Sequence, residues 1–144
     1  MRRFRQTIIM FLLDISPNKP VTEILDFVKK WFKLLADDKL EEGCAMLLPN
    51  SYGIVWTPDL IKQTMNEIYS PDTWFYHYHP EGPIFSDPYD LGKQRFEEAI
   101  ETPDGYAFDY DVPLNGEWSD LTAQFQFIKQ PNGYAVVLED LHIM

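Results

Sequence analysis

The sequence predicts an α+β fold in which N-terminal helices pack in a strongly curved antiparallel sheet. Three observations carry that expectation. Apolar residues recur at helical spacing through the first half of the chain, and from Tyr106 the period drops to two. Two tight-turn signals, "NG" at 115–116 and "KQPNG" at 129–133, then divide the remainder into long strands.

The first helix is the clearest. Thr22 offers an N-cap, and Ile24, Phe27, Val28, Trp31, Phe32 and Leu35 form one stripe, with Asp26, Lys29, Lys30 and Lys33 opposite. A Trp–Phe pair on such a stripe reads as core. In "ADDKLEEGCAMLLP" a second helix is expected, with Asp38 as cap, Glu41 reaching back to it, and Leu40, Cys44, Leu47 and Leu48 buried. In "WTPDLIKQTMNEIYSP" Thr57 caps a third helix and Pro58 takes the first helical position, where its missing N–H costs nothing. "TWFYHY" reads as a short strand leading into a loop, and "KQRFEEAIET" as one or two helical turns. Next, "GYAFDYDVPL" alternates, with Tyr106, Phe108, Tyr110, Val112 and Leu114 on one face and Ala107, Asp109, Asp111 and Pro113 on the other. Pro113 cannot donate to a ladder and belongs at an edge or bulge. Strands over about 118–128 and 134–143 complete the meander.

The 144 residues suit one domain with residues 1–19 as a possible N-terminal extension, and 45% apolar residues exclude disorder. "MRRFRQTIIMFLLD" places three arginines before an apolar run of about six residues, far short of the roughly 20 needed to span a membrane. Asp14 stops the run and no small-x-small cleavage site precedes Pro17, so a packed segment is expected there and not a targeting sequence. Cys44 is the only cysteine, which removes any intrachain disulfide and points to a reducing, cytoplasmic setting.

Charge is unevenly placed. The net charge is −11, and residues 81–144 hold three basic against thirteen acidic residues. Such a half repels nucleic acid and anionic membrane, and favours a basic protein partner or plain solubility. Asp109, Asp111, Glu117 and Asp120, with Trp118 between them, form a candidate partner-binding patch with an aromatic anchor; a solvated sheet face is the plain alternative. Along the last strand, parity places Tyr134, Val136, Leu138, Asp140 and His142 on one face. Asp140 and His142 would then lie about 7 Å apart, an acid–base pair if that face is concave, solvated groups if the strand leaves the core near Glu139. His77 and His79 share a face if "HYH" is a strand, a spacing that binds zinc given a third ligand. Cys44 has no neighbouring base and reads as a structural thiol. No Gly-rich phosphate loop or nucleophile elbow occurs, and no cofactor is implied.

"VTEILDFVKKWFKLLADDKLEEGCAMLL" and the closing "DVPLNGEWSDLTAQFQF" and "GYAVVLEDLHIM" resemble the opening and closing elements of the nuclear transport factor 2-like, or cystatin-like, cone. The resemblance extends over residues 20–144 and takes in small bacterial proteins of this fold, among them immunity proteins that neutralise secreted toxins. It implies a non-catalytic acidic protein that blocks a basic toxin. The alternative is a pocket protein or isomerase-like enzyme using Asp140 and His142, since the family's enzymes work through an acid–base pair inside the cone. The resemblance also makes pairing of two copies through the sheet possible. The isomerase's tyrosine and two aspartates find no positions in this sequence.

Overall fold

The computed structural model describes residues 10–94 and 97–143. Helices α1 (Pro20–Ala36) and α2 (Leu40–Ala45) are followed by the two-residue strand β1 (Leu47–Leu48). Next come α3 (Pro58–Ile68), α4 (Trp74–Tyr78) and a 3-10 turn at Pro88–Asp90, and strands β2 (Ala99–Thr102), β3 (Gly105–Leu114), β4 (Glu117–Gln130) and β5 (Gly133–Ile143) close the chain. The strands form one open, mixed sheet in the order β1-β5-β4-β3-β2, in which β1 runs parallel to β5 and all other neighbours are antiparallel. The α+β class stands; the purely antiparallel sheet does not.

Helix α1 begins at Pro20, two residues ahead of Thr22, because proline itself supplies the pre-set first turn. Glu23 in that turn accepts the Ser16 backbone N–H, anchoring the incoming chain. The predicted stripe is the buried one. Phe27 meets Phe127 edge-on at 6.0 Å, Trp31 meets Phe125 at 5.5 Å, and Phe32 stacks on Tyr110 at 5.5 Å. Fully buried side chains of this size contribute about 2–3 kcal/mol each, so this row fixes α1 across one face of the sheet. The Trp31 indole donates to Gly43 O at 2.9 Å and ties α2 to α1. Helix α2 ends before Leu47: Leu47 and Leu48 leave it to pair with Val136 and Val137, and Asp38 takes a positive φ of 59° in place of capping. Helix α3 follows its signals, with Thr57 Oγ1 accepting from Leu60 N at 3.1 Å.

Two further expectations fail locally. "WFYHY" is helical and "AIET" is strand β2. Four aromatic residues and a histidine show no readable period, and the β propensity of the aromatics yields to packing of Phe75 against Tyr69, ring to ring at 4.4 Å. At the N-terminal end Leu13 exchanges both backbone hydrogen bonds with Tyr134 at 2.8 Å, Ile15 is buried, and Phe11 packs on Phe27 at 5.7 Å, so residues 11–15 belong to the packed body. Among the described residues no helix is long and apolar enough to cross a membrane.

The register assigns the two faces. Phe108, Phe125 and Leu138 stand in one cross-strand row and Tyr110, Ala123 and Leu141 in the next, all buried toward α1. Ile100, Ala107, Gln126, Val137 and Leu48 form a row on the opposite, outer face. Beyond it lie Asp109, Gln124 and Asp140, and then Asp111, Thr122 and His142.

A candidate partner-binding cleft on the outer sheet face

A bulge in β5 decides where the functional side chains point. Gln124 pairs with Asp140 while the next residue, Phe125, pairs with Leu138, so Glu139 has no partner across the ladder. One extra residue inverts every later side chain. Leu141 replaces Asp140 on the helix-packed face, and Asp140 and His142 turn to the outer one. The expectation that they share a face with Val136 and Leu138 is therefore corrected. Their side chains do approach, with His142 Nδ1 3.1 Å from Asp140 Oδ2, but outside the helix-packed interior and partly exposed.

The bulge also leaves backbone groups of β5 to be satisfied beyond the end of β1. The segment after β1 does this. Trp56 donates its indole N–H to Leu138 O at 2.7 Å, and Asn50 Nδ2 donates to Glu139 O at 3.1 Å. Asn50 Oδ1 accepts from Tyr52 N at 2.9 Å and Ile54 N at 3.0 Å, and Gly53 supplies the positive φ (78°) that closes the turn. Ser51 donates to the Glu139 carboxylate at 2.8 Å. A loop held this way keeps a fixed shape while its tip faces solvent, with Tyr52 86% and Val55 60% exposed.

Between this loop, the start of α3 and the outer face lies a cleft of about 520 Å³. Asp109, Glu139 and Asp140 line it with Gln124 and Gln126, and Trp56 and Leu60 supply apolar wall. Among the described residues no lysine or arginine lines it or pairs with these three carboxylates. Three carboxylates in one concavity attract cationic groups more strongly than a convex surface would.

The remaining predicted positions separate. Asp109 is exposed on the outer face as expected, but Asp111 is only 8% exposed; its backbone N–H donates to the Gln94 side chain at 2.9 Å. Short β2 leaves β3 without a neighbour there, and the Gln94 segment covers it. Trp118 is no free anchor, since its indole donates to Gly92 O at 3.0 Å and its ring meets Tyr110 edge-on at 5.4 Å. Glu117 and Asp120 stay exposed but sit at the far end of the hairpin, Asp120 about 13 Å along β4 from the Asp109–Gln124 row. Asp120 accepts from Tyr69 Oη at 3.2 Å, and Glu117 lies 3.8 Å from His79. The helical turn parts the two histidines: His77 packs on Tyr78 at 5.0 Å, and His79 stacks on Phe75 at 4.7 Å, with Glu81 3.7 Å away. Among the described residues no three His, Cys, Asp or Glu side chains are grouped to hold a metal ion. Cys44 is half-buried and burial pushes its thiol up to about 11, in keeping with a structural role.

Residues 72–144, half of the chain, match the family model described as Domain of unknown function (DUF7668). The chain belongs to this family. The DUF7668 segment comprises α4 and strands β2–β5, and so contains Asp109, Gln124, Glu139 and Asp140; the Asn50 loop and α1–α3 precede it. No curated protein and no solved structure matches the chain. Sequence reasoning missed the loop altogether. Asn50 and Gly53 carried its turn chemistry, but nothing in "PNSYGIVW" reveals that it clamps a strand 82 to 89 residues away.

Proposed function

We propose that this DUF7668 protein is a non-catalytic binding protein that captures a basic protein partner, with a bacterial immunity protein against a basic toxin as the specific form. The carrying observation is the acidic cleft beside a fixed loop that holds Tyr52 in solvent. A lysine or arginine of the partner enters between Asp109, Glu139 and Asp140, and Tyr52 and Val55 cover the adjoining apolar surface. Tyrosine suits that task because it adds a large contact area at a small entropy cost. Excess negative charge on the second half of the chain speeds encounter. The cystatin-like cone remains the proposed architecture, supported by α1 lying across one face of the closing meander.

Immobilised protein challenged with host extract, followed by titration of the recombinant captured protein, tests the reading. Tyr52→Ser removes a side chain with few contacts of its own and leaves stability unchanged, and it is expected to weaken binding by about tenfold or more. Unchanged affinity, or capture of acidic proteins alone, refutes it.

A further inference from the structure

The two sides of the sheet are finished differently. Along β5, Tyr134 exchanges backbone hydrogen bonds with Leu13, Val136 and Val137 pair with β1, and the Leu138 and Glu139 carbonyls accept from Trp56 and Asn50. On the other side, the part of β3 beyond β2 is closed as well. Gln94 accepts from Asp111 N, Ser86 N donates to Pro113 O, and Asn115 N donates to Ile84 O. Strand β2 itself has β3 on one side and, among the described residues, no strand on the other.

The register identifies the groups left open. Lys129 N donates to Asp104 O at 2.7 Å, so Gly105 and Ala107, one and three residues on, turn their backbone groups away from β4 and toward β2. Their partners Thr102 and Ile100 bond inward, and Ala99 and Glu101 direct N–H and C=O away from the ladder. Among the described residues nothing bonds these groups. Such an edge is a template for one more strand. Its side chains decide which strand. Ile100, in the middle, is 66% exposed, and Glu101 and the preceding Glu98 are exposed beside it without an ion pair among the described residues. Proteins guard open edges with charge, and here the guards are acidic alone. A second copy would set the same acids against them on a chain of net charge −11, whereas a basic strand is complemented.

We propose that β2 takes an extended basic segment of a partner protein as a sixth strand of the sheet. An aliphatic residue of that segment lies opposite Ile100 and a lysine or arginine opposite Glu101, while its backbone bonds Ala99 and Glu101. No residue of β2 lines the acidic cleft, so either proposal can fail alone.

A capped heptapeptide of alternating lysine and valine is the probe. The same peptide N-methylated at its lysines, which cannot donate to β2, and a glutamate–valine peptide are the comparators. Titration followed by NMR and amide hydrogen exchange is expected to show Kd on the order of 0.1 mM, slowed exchange at Ala99 and Glu101, and both comparators about tenfold or more weaker. Glu101→Lys changes an exposed side chain, keeps the melting temperature and shifts the preference to the glutamate–valine peptide. The proposal is overturned if the probe does not bind up to roughly 2 mM, if the N-methylated peptide binds equally well, or if Glu101→Lys keeps the parent's preference. Binding that leaves the Ala99 and Glu101 amides unchanged also overturns it, since the peptide then sits in the acidic cleft or adheres by charge alone. Slow exchange of both amides before any peptide is added overturns it too. If that protection rises with protein concentration, the edge belongs to a second copy; if it does not, the chain covers its own edge.

Discussion

Gly105 is the position at which the fold accepts no side chain. Its φ is +151°, and a Cβ built there would lie 1.8 Å from Phe127 O, a backbone atom of the neighbouring strand. Gly105→Ala is therefore expected to cost about 3 kcal/mol or more, read as a lowered urea midpoint; a cost under about 1 kcal/mol would contradict the tight pairing of β3 and β4. Tyrosines offer a second check at this scale. Burial, and then Asp120, raise Tyr69 above the ordinary phenol value, and burial, and then Glu97, raise Tyr110. A group whose folded pKa is raised stabilises the fold fully below its unfolded value, here about pH 10, and loses that contribution as pH climbs toward the folded value. Ultraviolet titration should show Tyr69 and Tyr110 ionising last, with stability falling above about pH 10; a single transition for all eight tyrosines would count against their burial. Which of the acids would be exposed was only partly legible at this scale. Period two placed Asp109 and Asp111 on one face, as found, but face is not exposure, and the Gln94 segment that covers Asp111 left no local pattern.

Elements were legible where their period was long enough to repeat. The α1 stripe, the Thr57–Pro58 start of α3, and the Asn115–Gly116 hairpin, with φ of 53° and 84°, all follow from local chemistry. Pro113 sits at the register shift of β3, as a residue without an N–H must. Helix α4 has too few residues to show a period, and β1 has two, so neither could be read. The bulge at Glu139 was invisible for a different reason: parity extrapolates along a strand and carries no sign of an inserted residue. Asn50 is the hinge between that bulge and the candidate cleft. Asn50→Ala loses three side-chain hydrogen bonds, two within the loop and one to β5, and is expected to cost about 2 kcal/mol. Hydrogen exchange should accelerate at Tyr52 and Ile54 while the core strands stay protected. Unchanged exchange there would mean that the loop is held by something other than Asn50.

For the molecule as a whole, one sheet serves two purposes. Its inner face buries Phe108, Tyr110, Phe125 and Phe127 against α1, and its outer face carries Asp109, Gln124 and Asp140 toward the Asn50 loop. The acidic bias of residues 81–144 foretold a charged surface but not its shape, because the cleft needs the loop from the other half of the chain. Glu117 and Asp120 lie at the hairpin end beside His79 and Tyr69 and contribute to the general field. The most direct measurement of the central claim is a calorimetric titration of the captured partner against the parent protein and Asp109→Lys/Asp140→Lys, at low and high salt. The account predicts parent affinity that falls as salt rises, and a loss of about tenfold or more in the double variant with its melting temperature retained. Equal affinity for parent and variant, with no salt dependence, would contradict it.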